Sequence, residues 1–162
     1  MRKLCFCLLL MLYVALPSAY ADVLLGNVIG VSDGDTITVL DKAKTQHKIR
    51  LAGIDAPEKK QPFGQASKHS LSDMVFGKDV RVEWTKKDRY QRTLGKVLVE
   101  GKDVCLEQVK RGMAWHYKKY QRDQSLDDQK LYSDAEANAR ASRLGLWTEA
   151  NPIEPSVFRH KK

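Results

Sequence analysis

Arg50-Leu51-Ala52-Gly53-Ile54-Asp55-Ala56-Pro57-Glu58 puts a guanidinium and two carboxylates on a short, stiff piece of chain. Ile49 and Leu51 alternate with Lys48 and Arg50, so the stretch reads as a strand with one apolar and one basic face. Pro57 fixes φ and pushes Ala56 towards an extended conformation, which makes the end of that strand a rigid corner. Upstream, Ser32-Asp33-Gly34-Asp35-Thr36 reads as a hairpin turn, because Asp-Gly between two β-rich runs is a strong local hairpin signal. If that hairpin pairs with the Arg50 strand, Asp35 and Asp55 meet at one end of a sheet. Two carboxylates, a nearby backbone carbonyl and water would then form a hard-oxygen site suited to Ca²⁺.

The elements that must hold these residues are short. Asp22 to Ser32 reads as a first strand, with Gly26 and Gly30 as bends or bulges. Thr36 to Leu40 forms a second strand, and Gln46 to Ala52 a third that ends in the Asp55 corner. A helix is expected from Gln65 to Phe76, capped by Gly77, with Leu71, Met74 and Val75 inward and Ser67, Lys68, His69 and Ser70 mostly towards water. Lys78 to Lys86 alternates strictly as a fourth strand, and Thr93 to Glu100 is a fifth, with Gly95 a candidate bulge. Asp103 can cap a helix reaching Arg111. Met113 to Asp123 is irregular, aromatic and basic. Ser125 and Asp128 resemble a capping box, opening a long helix to about Arg143 with Leu131, Ala135 and Ala139 as its buried stripe. Gly145-Leu146-Trp147 reads as a helix stop and an apolar lock. From Asn151, two prolines and a basic end suggest a mobile tail.

Of 162 residues, the first 21 read as a cleaved signal peptide: Arg2 and Lys3, an apolar run from Leu4 to Ala15, and the Ala19-Tyr20-Ala21 site. That run is too short for a comfortable membrane span. Without Arg2 and Lys3 the chain carries 26 basic and 20 acidic side chains, a net charge of +6. An exported basic domain suits a polyanion: nucleic acid, an anionic surface or a polysaccharide. Cys5 and Cys7 leave with the signal, so Cys105 has no intramolecular partner and reads as a small buried side chain. One domain is expected over 22–150, as an exported monomer with no stable membrane association, in the periplasm or the medium.

Asp33-Gly34-Asp35-Thr36, Arg50-Leu51 and Ile54-Asp55-Ala56-Pro57-Glu58 together resemble the signature of the staphylococcal (micrococcal) nuclease family. Asp88-Arg89-Tyr90-Gln91-Arg92 is similar to that family's Asp-Lys-Tyr-Gly-Arg loop, and Val104 to Ala114 to its helix ending in Gly-hydrophobic-Ala. The resemblance implies an α+β domain: a five-stranded OB-fold β-barrel with three packed helices. It also implies a Ca²⁺-dependent enzyme that hydrolyses DNA and RNA with little sequence preference and leaves 3′-phosphate ends. Carried over residue by residue, Asp35, Asp55 and the Ala56 carbonyl would hold Ca²⁺. Arg50 and Arg92 would donate to the phosphate, and Glu58 would act on the attacking water. Arg89 and Tyr90 would contact substrate; the aromatic-basic stretch after Ala114 departs from the family's pattern, and there Tyr120 reads as a stacking wall for a base. Ala56 stands where the family more usually has Thr, Arg89 where it often has Lys, and Gln91 where it often has Gly.

Each residue taken singly has a plainer reading. Asp35 would be a turn residue, Asp55 and Glu58 surface carboxylates, and Arg50 and Arg92 solvated cations. Two other functions use the same composition. One is a non-catalytic OB-type module that binds nucleic acid; the other is a cationic envelope protein that binds surface polyanions. Neither accounts for three carboxylates and two arginines in this order.

Overall fold

The computed structural model describes residues 22–160; the expected signal peptide lies outside them. Strands β1 (Asp22–Asp33), β2 (Thr36–Asp41) and β3 (Gln46–Leu51) form a meander, followed by a two-residue strand β4 (Ile54–Asp55). Helix α1 (Gly64–Val75) leads to β5 (Asp79–Lys87), β6 (Thr93–Val99) and β7 (Lys102–Asp103). Helix α2 (Val104–Lys110), strand β8 (Trp115–His116) and a 3₁₀ segment over Lys118–Asp123 follow. Helix α3 (Leu126–Ala141), a 3₁₀ turn over Gly145–Thr148 and helix α4 (Pro155–His160) complete the domain.

The long strands run β3-β2-β1-β5-β6, antiparallel between neighbours, and β3 then pairs in parallel with β6 through Ile49↔Thr93, Arg50↔Leu94 and Leu51↔Gly95. That last pairing closes the expected five-stranded OB-fold barrel and removes its free edges. Closure depends on Gly95, where an added Cβ would come within 2.4 Å of a Val82 methyl. The irregularity lies on the facing strand, between Trp84 and Lys86 of β5. Val28, Ile37, Val39, Ile49, Leu51, Val82 and Val97 fill the barrel and are fully buried. At about 1.5–3 kcal/mol for each such side chain, their burial is the main force holding the site's scaffold together.

Helix α2 is capped as expected, with Asp103 accepting from the Leu106 N–H. Ser125 likewise caps α3 by accepting from the Asp128 N–H at 3.1 Å, while the Asp128 carboxylate turns to Lys96 at 2.8 Å. Three expectations are corrected. Leu131 is exposed, and Tyr132 takes its place in the buried stripe of α3, because its hydroxyl donates to Asp103 Oδ2 at 2.8 Å. Ser67 is fully buried on α1, where its hydroxyl donates to the Met113 carbonyl at 2.6 Å. The segment after Asn151, read as a tail without structure, carries α4, a fourth helix beyond the three expected.

Candidate active site

Two turns at one end of the barrel build the site. In the hairpin between β1 and β2, the Asp35 N–H donates to Asp33 Oδ1 at 3.1 Å. The Asp35 carbonyl accepts from the Leu51 N–H at 2.8 Å, and Thr36 pairs with Arg50 across β2 and β3. The expected meeting of hairpin and Arg50 strand is therefore the observed register. The second turn is held by β4, whose Ile54 and Asp55 pair with His116 and Trp115 of β8. The Tyr117 N–H donates to the Gly53 carbonyl at 2.9 Å and extends that clamp.

Arg50 ties the two turns together. Its Nη2 lies 3.1 Å from Asp35 Oδ2 and 2.9 Å from Asp55 Oδ1. Its Nη1 donates to the carbonyls of Leu51 at 3.1 Å and Ile54 at 2.9 Å. Asp35 Oδ2 also accepts from the Ala56 N–H at 2.7 Å. Both acids are buried. Burial pushes the Asp35 carboxyl up to about 7; Arg50 opposes that shift, Asp33 reinforces it, the Ala56 N–H opposes it and Asp55 reinforces it. Burial disfavours the ionised form, and the Arg50 guanidinium recovers only part of that cost.

Glu58, on the rim, reaches this pair through a residue the sequence did not single out. Arg159 of α4 donates from Nη1 to Glu58 Oε1 at 2.7 Å and to Asp55 Oδ1 at 3.2 Å, and from Nη2 to Asp55 Oδ2 at 3.0 Å. Burial opposes the Arg159 charge, but hydrogen bonds to Asp55 and Glu58 outweigh it and push its pKa above the ordinary arginine value. A basic residue near a chain end carries no signal of this role. Tyr117 was also overlooked: burial, then the charge of Asp55, raises its phenol pKa. It packs edge-on to Tyr120, with ring centroids 5.0 Å apart, which sets exposed Tyr120 on the rim of the site.

Arg92 is not on the carboxylates. Its Nε and Nη2 lie 2.7 Å from Asp88 Oδ2, and Asp88 Oδ1 accepts from the N–H groups of Tyr90 and Arg92 at 2.8 and 3.0 Å. Burial raises the Asp88 pKa, but the Arg92 guanidinium and these two N–H groups outweigh it and hold the group below its ordinary value. Arg89 and Arg92 flank the exposed Tyr90 ring, 4.8 and 5.5 Å from its centroid. Gln91 has φ 62°, so the position where the family often carries Gly needs left-handed backbone here too.

Asp35, Arg50, Asp55 and Ala56 are thus in direct contact and Glu58 is one guanidinium away. Arg89, Tyr90 and Arg92 form a separate basic-aromatic loop. Among the described residues no three His, Cys, Asp or Glu side chains converge as a ready-made metal cluster. The donors that do converge are carboxylate oxygens, and two guanidiniums stand where a cation would bind them. An all-oxygen pair of buried carboxylates fits Ca²⁺ in donor chemistry.

Residues 48–149 match the pattern of the family described as staphylococcal nuclease homologue. The chain belongs to the staphylococcal nuclease family. A Haemophilus influenzae protein named as an uncharacterized endonuclease is 45% identical over 161 residues, covering 99% of this chain and 87% of its own. A Shigella flexneri protein named micrococcal nuclease is 39% identical over 157 residues, covering 91% and 86%. The matched family region contains Arg50, Asp55, Glu58 and Arg92 but neither Asp35 nor Arg159. Asp35 enters through the resemblance of its Asp-Gly-Asp-Thr turn and through its contact with Arg50, whereas Arg159 enters through geometry alone.

Proposed function

We propose that this protein is an exported Ca²⁺-dependent phosphodiesterase that hydrolyses DNA and RNA with little sequence preference and leaves 3′-phosphate ends. The observation that carries it is the Arg50 junction: one guanidinium holding two buried carboxylates from separate turns, with a third carboxylate at the rim. Nuclease relatives and family membership support the reaction class. Net positive charge after removal of residues 1–21 as a signal supports a polyanionic substrate met outside the cytoplasm, where weak Ca²⁺ sites are usable.

Asp35 and Asp55, with the Ala56 carbonyl, would hold the ion, which supplies neutralisation of a phosphate oxygen and orientation of water. The remaining work falls to the chain. Arg50, already fixed by two carbonyls and two acids, presents a guanidinium that the five-coordinate phosphorus can share as its charge grows. Arg92 exchanges Asp88 for phosphate when substrate arrives. Glu58 takes the proton of the attacking water as its oxygen bonds to phosphorus, and the P–O bond to the 5′ oxygen breaks. Arg89, Tyr90 and Tyr120 offer charge and stacking faces to the rest of the strand.

The closed ion pairs on Asp55 and Glu58 favour one other reading, a barrel that binds nucleic acid without cutting it. Incubating the purified protein with plasmid DNA in Ca²⁺ or chelator, beside Glu58→Gln, separates the two. The nuclease reading expects Ca²⁺-dependent degradation, 3′-phosphate ends and a rate reduced at least about a hundredfold in the variant. Intact but retarded DNA in every lane would establish the binding module instead.

A further inference from the structure

Arg159 reaches across 104 positions of sequence to take both oxygens of Asp55 and one of Glu58. Asp55 Oδ1 is also held by Arg50. A carboxylate has about four lone-pair directions, and three of them at Asp55 point at guanidinium nitrogens. An ion or a water approaching Asp55 and Glu58 from outside meets Arg159 first.

The segment that delivers Arg159 is built to let go. Helix α4 has six residues, far below the length at which a helix is stable by itself. It is held in place by buried Pro155, half-buried Phe158, the Gln61 side-chain amide donating to the Ile153 carbonyl at 2.6 Å, and the Arg159 contacts, while Val157 is exposed. Between this segment, the β4–β8 pair and α3 lies an open pocket of about 100 Å³ lined by Asp55, Tyr117, Lys118, Glu136, Pro155 and Ser156, among others. The docked segment is therefore not close-packed against the site it covers. Arg159 and Glu58 remain over a third exposed, so their ion pair is open to water and screening.

We propose that Arg159 is a tethered cation that stands in for the divalent ion: the C-terminal helix closes the site when metal is absent, and metal and nucleic acid open it. This rests on the Ca²⁺ reading of the site above. Its consequence is a built-in threshold. Ca²⁺ must displace an internal competitor before Glu58 is free to accept a proton, so the measured affinity is weaker than that of the bare carboxylates. A substrate phosphate helps by drawing the released guanidinium to itself.

Two readouts on the purified protein test this without measuring activity. Calorimetric titration with Ca²⁺ is run on the parent, on Arg159→Gln and on Lys130→Gln, which removes one positive charge on the exposed face of α3. Hydrogen exchange is followed with and without saturating Ca²⁺. The expected result is affinity about tenfold tighter in Arg159→Gln and unchanged in Lys130→Gln. Amides 156–160 should lose protection on Ca²⁺ binding while those of 54–56 and 58 gain it. Ca²⁺ that binds with 156–160 still protected, or binds Arg159→Gln no tighter than the parent, overturns the tethered-cation proposal and leaves the metal site standing. Absence of Ca²⁺ binding to both the parent and Arg159→Gln overturns the metal reading and this proposal together.

Discussion

Arg50 and Asp55 meet at 2.9 Å, with 11% and 2% of their side chains exposed. So close a pair away from water is held by geometry as much as by charge, and the Arg50 fork supplies that geometry through two carbonyls and two acids. Arg50→Lys keeps the charge and loses the fork. Cleavage should fall at least about a hundredfold while the fold survives. Arg50→Ala leaves buried Asp35 without its guanidinium while Asp55 keeps Arg159, and unfolding in urea with chelator present should show a loss of about 3–5 kcal/mol. Equal activity in Arg50→Lys and the parent would remove Arg50 from the chemistry.

The loop around Asp88 separates two effects that a single Arg92 variant confuses. Gln91 sits at φ 62°, where a side chain is strained. Gln91→Gly should raise stability by about 0.5–1 kcal/mol, after the extra freedom it gives the unfolded chain. Arg92→Lys should leave stability nearly unchanged and lower kcat more than it raises KM, because the missing donor matters most at the transition state. Steady-state kinetics beside thermal melts reads both. A change in KM alone would make Arg92 a binding residue only.

The parts of the site that were legible in the sequence are those fixed by neighbours along the chain. The Asp-Gly turn sets the β1–β2 register, the Ile49/Leu51 alternation sets the face of β3, and together they bring Asp35 to Asp55. Four features were not legible, for different reasons. Strands β4 and β8 have two residues each, too few to show any period, yet their pairing orients Asp55. On α3 the choice between Leu131 and Tyr132 turned on a hydroxyl partner, Asp103, 29 positions away. Arg159 lies on six helical residues whose composition reads as a tail, and only the folded chain puts it on Asp55. Ser67 looked solvated because its polar side chain gave no hint of a carbonyl waiting at Met113.

Cys105 should be chemically silent. Its side chain is fully buried, and burial followed by the charge of Asp103 pushes the thiol pKa well above its ordinary value. A thiol that cannot ionise is neither nucleophile nor redox sensor. Labelling with a disulfide reagent at pH 8 should be undetectable in the native protein and rise with the unfolded fraction across a urea titration. Rapid labelling without denaturant would mean that α2 opens locally.

Beneath the Asp33-Gly34-Asp35 turn, Gln108 and Ser67 form its floor. The Gln108 amide is fully buried; it donates to the Gly34 carbonyl at 2.9 Å and to the Ser67 carbonyl at 3.1 Å, and accepts from the Ser70 hydroxyl at 2.7 Å. Gln108→Leu leaves the Gly34 carbonyl buried without that donor, whereas the Ser67 carbonyl keeps its place in the α1 helix ladder, at a cost of about 1–3 kcal/mol if the Gly34 group stays dry. Gly34→Ala acts from the other side. Its new Cβ would lie 1.9 Å from the Ser67 hydroxyl and 2.8 Å from the Ala56 Cβ, so the turn must rise and carry Asp35 away from Arg50. Gly34→Ala should cost about 1–3 kcal/mol in urea and at least about tenfold in cleavage rate at saturating Ca²⁺. Adding Ser67→Ala removes the closest atom. The double variant should then recover part of the lost activity although Ser67→Ala alone destabilises by freeing the Met113 carbonyl. Simple addition of the two single losses would show that the turn does not rest on Ser67.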